Sequence, residues 1–328
     1  MTTRRRALLL GLVALGSSRL VRAQPAQKVW RVGYLSLGPP QGDERWVMAM
    51  RQRLNELGYV EGRNLIFEQR HAFNQVEKVP DLTTDLLRRN VDVLVVYGSP
   101  AIAAVKAYGS KVPIVMTVHA DPVGSGIVQS LARPGGNVTG LSDGHADLAP
   151  KRLELLKEVV PSVSRVAVVF NPRTSHALRQ WQLAKVAAPK LGLTVIPMEV
   201  SGPAALEPGF AGLGRQRANA VFLAPDPSWW NGQESRIANL AIKHRLPSIG
   251  TVREFAEHGI LIAYGTNFTD LWRRCAVYVD KILKGAKPGE LAIEHPTKFD
   301  LVLNLKTAKT LGITISQAFL QRADEVIQ

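Results

Sequence analysis

VLVVYGSP, residues 93–100, is the stretch that most clearly indicates the fold class of this chain. Its first five residues form a continuous apolar run, without the polar–apolar alternation that marks a strand with one face in water. Such runs are typical of parallel sheets, which are covered on both faces by helices. The glycine, serine and proline that follow suit a tight turn into a helix start. The stretch therefore predicts the strand-to-helix step of an α/β domain.

The same step recurs along the chain, and a second apolar run lies at Val166–Phe170. Strands are predicted at Val29–Ser36, Asn64–Arg70, Asp92–Tyr97, Pro113–Val118, Asn137–Leu141, Arg165–Phe170, Leu193–Val200, Asn219–Ala224, Pro247–Gly250, Ile260–Ala263 and Lys298–Asn304. Helices with one apolar face separate them, and three have readable ends: Asp43–Leu57, Leu148–Val160 and Thr269–Lys284, the last capped by Thr269. This alternation predicts two doubly wound parallel sheets in an α/β chain.

The elements fall into two series, each the size of an ordinary domain. The chain is predicted to cross between the two lobes three times, near residues 141–146, 263–266 and 286–297. We predict a first lobe from residues 24–142 plus 265–292, and a second lobe from residues 143–264 plus 293–328. A three-segment hinge of this kind lets two rigid lobes rotate about a narrow axis.

Residues 1–23 have the order of a secretory signal peptide. Arg4–Arg6 form a charged start, Ala7–Leu15 is an apolar run, and Val21-Arg22-Ala23 offers a cleavage site before Gln24. The apolar run is shorter than the roughly 20 residues of a membrane span, and no later stretch reaches that length. We expect export to the periplasm through the Sec or Tat route, and a mature protein that is not inserted in the membrane.

Charge and cysteine content narrow the function classes. The net charge is +14, and five arginines lie in the signal segment, which leaves about 14 − 5 = +9 on the mature chain. Its basic residues are scattered rather than clustered among aromatics, so we do not expect nucleic acid as a partner. The single cysteine, Cys275, falls on an apolar helical stripe and is predicted to be a core thiol rather than a nucleophile.

The sequence lacks the motifs of common catalytic, phosphate-binding and metal sites. It contains no nucleophile elbow, Walker A motif or dinucleotide fingerprint, and its seven histidines are not spaced as metal ligands. His119 and Asp121 could form an acid–base pair, but a histidine satisfied within a loop is the simpler interpretation. We therefore expect no catalytic residues, no metal and no cofactor, and we expect the chain to bind a small molecule.

Open parallel sheets bind ligands beyond the carboxyl ends of their strands. In the first lobe, Ser36, Ser99 with Pro100, and Asp121 follow such ends. The helix start at Ser99-Pro100 offers backbone N–H groups to a carboxylate, although a plain helix cap explains the same residues.

In the second lobe, Asn171, Asp226 and the pair Trp229-Trp230 follow predicted strand ends. Asp226 could receive an ammonium group or merely cap the next helix. Trp229 or Trp230 could cover a ring, or one of them could pack beneath the loop. These residues together predict an anionic or zwitterionic ligand with a flat or apolar body.

Several strings resemble those of one protein family. They are DPVG at 121–124, SLARPGGNVTG at 130–140, KRLELLK at 151–157, REF at 253–255, YVDKILKGAKP at 278–288, PTKFDLVLNLKTAK at 296–309 and RADEVI at 322–327. Across nearly the whole mature chain, the sequence resembles ABC transporter substrate-binding proteins related to the tryptophan- and tyrosine-binding TrpX group. His119 and Trp229-Trp230 depart from the usual residues of that family.

This resemblance implies a type I periplasmic-binding-protein fold without enzymatic activity. It also implies pocket positions at Ser36, Ser99, Asp121, Asp226 and Tyr264, and ABC permease transmembrane subunits as partners of a monomeric binding protein. A ligand-sensing module for a membrane receptor would have the same sequence features. An exported two-lobed hydrolase or transferase would need a catalytic constellation that the sequence does not show.

Overall fold

The computed structural model describes residues 28–119, 121–142, 145–224 and 232–328. Within these ranges the chain forms one five-stranded sheet and one seven-stranded sheet, each covered by helices on both faces. No helix in the described part of the chain is long and apolar enough to cross a lipid bilayer.

The first sheet is parallel throughout and has the strand order β2-β1-β3-β4-β5. Its strands are β1 (Trp30–Ser36), β2 (Leu65–His71), β3 (Val93–Tyr97), β4 (Ile114–Val118) and β5 (Val138–Gly140). Every residue of β3 and β4 is buried, as expected of apolar strands that are covered on both faces.

The second sheet has the strand order β12-β11-β10-β9-β8-β6-β7. Its strands are β6 (Arg165–Phe170), β7 (Thr194–Glu199), β8 (Ala220–Leu223), β9 (Ser248–Gly250), β10 (Ile262–Thr266), β11 (Phe299–Asn304) and β12 (Glu325–Ile327). Neighbouring strands are parallel except β10 and β11, which are antiparallel.

The helices divide between the two sheets and cover both faces of each. They are α1 (Glu44–Glu56), α2 (Val79–Arg88), α3 (Ser99–Ala107), α4 (Ala149–Val159), α5 (Ser175–Ala187), α6 (Leu206–Leu213), α7 (Glu234–Lys243), α8 (Arg253–Glu257), α9 (Phe268–Leu283), α10 (Leu305–Leu311) and α11 (Gln317–Leu320). On the first sheet, α1 and α9 pack on one face, and α2 and α3 pack on the other. On the second sheet, α4, α5, α10 and α11 pack opposite α6, α7 and α8.

Helix α9 follows a strand of the second sheet but packs against α1 on the first sheet. Trp46, Met50 and Leu54 lie on one stripe of α1, and they share an apolar core with Leu271 and Cys275 of α9. Cys275 is completely buried there, which confirms the predicted core thiol, and burial raises the pKa of that thiol.

The chain crosses between the two sheets in three segments that are bonded side by side. Leu141 forms a β-bridge with Glu294, and the N–H of Ser142 donates to the Glu294 carbonyl at 2.9 Å. The N–H of Asn267 donates to the Lys298 carbonyl at 3.1 Å. Three chain segments therefore join the two doubly wound lobes, as predicted, although residues 263–266 belong to β10 and the second crossing begins after Thr266.

The predicted end of β10 was wrong, and its neighbour β11 runs antiparallel to it rather than parallel. Strand β10 ends at Thr266 rather than Ala263, because Tyr264 and Thr266 pair with β11. The antiparallel β11 has a topological cause. The chain leaves β10 and returns to β11 at the same end of the sheet, where Thr266 lies opposite Phe299.

The start of α9 also differs from the prediction. Asn267, not Thr269, caps this helix, and its side-chain oxygen accepts the Asp270 N–H at 2.7 Å. The extended backbone of Asn267, with φ −70° and ψ 95°, places its short side chain over the first turn. Residues 1–23, the predicted signal peptide, lie outside the described residues.

Candidate functional site

The two lobes meet at the carboxyl ends of their parallel strands. The hinge segments leave from these ends, since β5 leads directly into the crossing at Leu141, and β10 leads into α9. Away from the hinge, Arg45 of α1 contacts Glu254 and Glu257 of α8, at 3.1 and 3.4 Å. The strand ends of the two lobes therefore face each other, and open parallel sheets bind ligands beyond such ends.

Ser36, a predicted site residue, is the last residue of β1 and is completely buried. Its hydroxyl donates to Asp43 Oδ2 at 2.5 Å and accepts the Gly38 N–H at 3.2 Å. The hydroxyl of Tyr34 donates to the same Asp43 oxygen at 2.6 Å. Ser36 is thus part of a network around a carboxylate that sequence reasoning had treated only as the start of a helix.

The second oxygen of that carboxylate has no such support. Asp43 Oδ1 is buried and has no hydrogen-bond partner among the described residues. Burial raises the pKa of the Asp43 carboxyl, while the hydrogen bonds from Ser36 and Tyr34 act in the opposite direction. Burial, and next the charge of Asp43, raises the pKa of the Tyr34 hydroxyl. The tyrosine therefore remains a neutral donor.

The helix start at Ser99-Pro100 forms as predicted, but a different residue is the cap. Gly98 is the N-cap residue of α3, with a φ of 98° that a side chain would strain. A Cβ at Gly98 would also lie 2.9 Å from the Leu37 Cβ. Ile102 makes the first helical bond to the Gly98 carbonyl, so the N–H of Ser99 precedes the helical ladder at the cleft edge.

Asp121 follows β4 and is exposed, and its carboxylate closes a local turn. Its Oδ1 accepts the Gly124 N–H at 2.8 Å, whereas its own N–H donates to His119 Nδ1 at 3.1 Å. Burial lowers the pKa of His119 to about 4, so this imidazole is neutral at physiological pH. The Asp121 backbone donates to this ring, and its carboxylate acts on His119 only through its charge, which fits the simpler interpretation of a histidine satisfied within a loop.

A group of mostly buried aromatic rings, at the end of the first sheet where α1 and α9 pack on it, was not predicted as a site. This aromatic cluster consists of Tyr34, Trp46, Tyr97, Phe268 and Trp272. Trp46 stacks on Phe268 with ring centroids 4.8 Å apart, and Trp272 lies 5.4 Å from Tyr97 and 5.6 Å from Tyr34. The Trp272 indole N–H is buried and has no partner among the described residues.

One signal in the sequence could have found this cluster. Tyr97 ends β3 and Phe268 follows β10 by two residues, so both stand at a strand end, and Trp46 lies in the first turn of α1, the helix that follows β1. Sequence reasoning had counted Trp46 only as part of the apolar face of a helix.

The predicted residues of the second lobe lie on separated strands. Asn171, which follows β6, is buried, and its side-chain oxygen accepts the Arg173 N–H at 3.0 Å. The half-buried ring of Tyr264 packs near Phe299 and the core beneath α4 and α5. Asp226, Trp229 and Trp230 lie outside the described residues.

Sequence reasoning also missed Arg152, a completely buried arginine in the first turn of α4. Its guanidinium donates to the Tyr264 carbonyl at 2.7 Å and to Gln180 Oε1 at 2.9 Å. This buried positive charge therefore lies beside β10, and it fixes the backbone of a predicted pocket position.

The predicted positions of the first lobe are close together, because β1, β3 and β4 are adjacent strands whose ends carry Ser36, Ser99 and Asp121. Within the described ranges, no three His, Cys, Asp or Glu side chains gather as they would around a metal ion. The arrangement offers a carboxylate, backbone donors and aromatic rings along one edge, which suits a small molecule with polar and flat parts.

Comparison with known proteins gives concordant results. A family model described as ABC transporter substrate binding protein matches residues 42–327. The chain is 23% identical over 260 residues to a tyrosine-binding protein of Clostridioides difficile strain R20291, and the match covers 79% of this chain and 74% of that relative.

Two solved structures resemble the whole two-lobed molecule. A conserved domain protein of Vibrio cholerae has a TM-score of 0.83 and 28% identity, over 91% of this chain and 100% of that chain. An ABC domain from Streptococcus pneumoniae in complex with L-Trp has a TM-score of 0.83 and 24% identity, over 92% of this chain and 100% of that chain.

Proposed function

The chain belongs to the family of ABC transporter substrate-binding proteins, and we propose that it is the periplasmic component of an importer for an aromatic amino acid or a similar zwitterionic solute. Its two lobes have the type I periplasmic-binding-protein fold. Two relatives support the ligand class, since one is named a tyrosine-binding protein and the other was solved in complex with L-Trp.

The observation that carries this proposal is the aromatic cluster beside the buried Asp43 carboxylate. Stacked rings favour a flat ligand body, and aromatic pairs add about 0.5–1.5 kcal/mol beyond the burial of their surface. The N–H groups at the start of α3 suit the carboxylate of a zwitterion. In the second lobe, Asp226 is a candidate acceptor for an ammonium group, and Trp229 or Trp230 is a candidate ring contact.

We propose that capture follows from closure of the two lobes about the three hinge segments. The proposed division assigns residues 24–142 plus 265–292 to the first lobe, and residues 143–264 plus 293–328 to the second. The packing of α9 on α1 supports the assignment of that helix to the first lobe. The ligand would be enclosed between the strand ends of both lobes.

The proposed location is the periplasm, after removal of residues 1–23. N-terminal sequencing of periplasmic protein should find a start at or near Gln24. Soluble protein that still carries Arg4–Arg6 would contradict an export signal. The proposed partners are the small-molecule ligand and ABC permease transmembrane subunits, with the binding protein acting as a monomer.

A thermal-shift screen of residues 24–328 against amino acids and aromatic acids tests the binding step. A true ligand at 100 times its dissociation constant stabilises the protein by about 2.7 kcal/mol. Mass analysis of the recovered ligand then tests for turnover, and an altered ligand would favour an enzyme.

Transport is tested in cells by the uptake of the radiolabelled ligand with and without this gene. Loss of uptake on deletion supports import. Undiminished uptake with loss of a transcriptional response to the ligand would instead indicate a sensing module.

A further inference from the structure

The first lobe contains two buried pairs in which a tyrosine hydroxyl donates to an aspartate. Tyr59 donates to Asp280 Oδ1 at 2.9 Å, and Asp280 is 7% exposed. Tyr34 donates to Asp43 Oδ2 at 2.6 Å, and Asp43 is 2% exposed. The two pairs have the same chemistry and nearly the same burial, so they can be compared directly.

The two carboxylates differ in whether the protein places a cation beside them. Asp280 has Lys284 Nζ at 2.7 Å from one oxygen and 2.9 Å from the other. Asp43 forms no salt bridge within the described ranges, and its Oδ1 has no hydrogen-bond partner there. A buried carboxylate is unfavourable unless a cation or a full set of donors accompanies it. Asp43 therefore has the environment of a cation site in which the protein supplies no cation.

Helix capping does not explain this carboxylate. Asp43 is the N-cap residue of α1, but its side chain makes no capping hydrogen bond. Both of its short hydrogen bonds come from hydroxyl groups on β1, from Tyr34 and Ser36. The side chain is thus held toward the carboxyl end of β1, the strand beside the central strand β3.

No ionisable group in the described part of the chain forms an ion pair with Asp43. His71 on β2 is near enough to lower the pKa of the Asp43 carboxyl, but its Nδ1 lies 3.2 Å from the Gly38 carbonyl oxygen. Arg45 extends across the cleft to Glu254 and Glu257. Tyr34 is a neutral phenol, because burial raises the pKa of its hydroxyl.

The Asp43 carboxylate also adjoins the aromatic cluster. The ring of Tyr34, whose hydroxyl holds Asp43, lies 5.6 Å from the buried ring of Trp272. Trp46, three residues after Asp43, stacks on Phe268. A ligand that carries an ammonium group close to an aromatic ring, as an aromatic amino acid does, would match both the carboxylate and the aromatic cluster.

We propose that Asp43 is the carboxylate that receives the ammonium group of the ligand, with Tyr34 and Ser36 as the residues that position it. This inference rests on the proposed function and restricts the ligand class to amines that carry an aromatic body. Arg45, two residues after Asp43, contacts the second lobe. Separation of the lobes would therefore expose the segment around Asp43 to an entering ligand, and closure would bury it again.

The test uses calorimetric titration of residues 24–328 with matched probe pairs. The pairs are L-tryptophan with 3-(indol-3-yl)propanoic acid, and L-tyrosine with 3-(4-hydroxyphenyl)propanoic acid, where the second member lacks only the amine. The wild type should prefer each amino acid. Asp43→Asn should reduce affinity for the amino acid by about 10- to 100-fold, as expected for loss of a hydrogen bond to a charged group, and should leave the analogue within about threefold.

Asp280→Asn is the matched control, because it alters the other buried tyrosine–aspartate pair and should preserve the preference for the amine. The inference would be overturned if Asp43→Asn lost affinity equally for the amino acid and for its analogue. It would also be overturned if the preference for the amino acid disappeared in Asp226→Asn and persisted in Asp43→Asn. A wild type that binds neither amino acid would instead reject the proposed function, and this inference with it.

The wild type provides a second measurement that does not depend on the folding of a variant. Protonation of Asp43 should weaken binding of the amino acid and leave binding of the analogue unchanged. The ratio of the affinity for the amino acid to the affinity for the analogue should therefore fall as the pH is lowered. A ratio that stays constant until the protein unfolds would overturn the inference.

Discussion

Asp43 is a buried carboxyl whose folded environment favours its neutral form. Burial raises its pKa above that of an exposed aspartate, which is about 3.9. At pH values between the pKa of Asp43 in the unfolded state and its higher pKa in the folded state, the folded protein therefore binds more protons than the unfolded protein. The stability contribution of this group is present in acid, and it is lost as the pH rises through the folded pKa.

Asp43→Asn removes this titration and keeps the shape of the side chain. The stability of the ligand-free variant relative to the wild type should therefore increase as the pH rises from about 3.9 toward neutrality. Denaturant unfolding at several pH values measures this difference. A difference that is independent of pH, or that changes in the opposite direction, would contradict the assigned protonation behaviour.

Single residues also show what the sequence could reveal of the site. Ser36, Ser99 and Asp121 were predicted as site residues because each lies at or just after the end of an apolar strand, and the ends of adjacent strands are neighbours. The contact between Tyr34 and Trp272 was not predicted, because it forms only when α9 packs on the first sheet beside α1, whereas Asp43 was counted only as the start of a helix. A pattern of neighbours in sequence does not encode a contact between residues more than 200 positions apart.

At the level of elements, α9 has one N-cap in the structure, Asn267, and another that the sequence favoured, Thr269. The Asn267 side chain accepts the Asp270 N–H and also donates to Asp300 Oδ1 at 3.1 Å. Asn267→Ala should lower the free energy of unfolding by about 1 kcal/mol, the typical value of a lost N-cap. Thr269→Ala, at the residue that the sequence favoured, should change it by less than about 0.5 kcal/mol. Equal effects of the two substitutions in denaturant unfolding would show that Asn267 is not the cap.

Most strands were predicted from local pattern, and so were the three helices α1, α4 and α9, whereas the strands that were missed or misplaced depend on pairing. The apolar runs at β3 and β6 are long enough to identify buried strands without other information. Strand β12 has only three half-buried residues, Glu325–Ile327, and it forms by pairing with β11. Likewise Tyr264 belongs to a strand because Leu301 lies opposite, and no pattern around Tyr264 signals that partner.

At the scale of the whole molecule, Arg45 joins the lobes across the cleft through Glu254 and Glu257. These side chains are partly exposed, so each pair contributes only about 0.2–1 kcal/mol. Glu254→Gln with Glu257→Gln should therefore shift the balance toward the open form by no more than about fivefold per pair. Small-angle scattering of the ligand-free protein should show a larger radius of gyration.

Glu61→Gln is the control for this effect. It breaks the pair between Arg51 and Glu61, which lies within the first lobe and has a similar exposure. The control should leave the scattering profile unchanged. The same expansion in both variants would show that the interlobe pairs have no special role in closure.

The central claim is that the cleft captures one zwitterionic aromatic molecule and returns it unchanged. Calorimetric titration of residues 24–328 with L-tryptophan and with L-tyrosine, followed by mass analysis of the recovered ligand, tests it most directly. The account predicts saturable binding of at least one of them, with one site per chain and a recovered mass equal to the starting mass. Absence of saturable binding for both, or a chemically altered ligand, would contradict it.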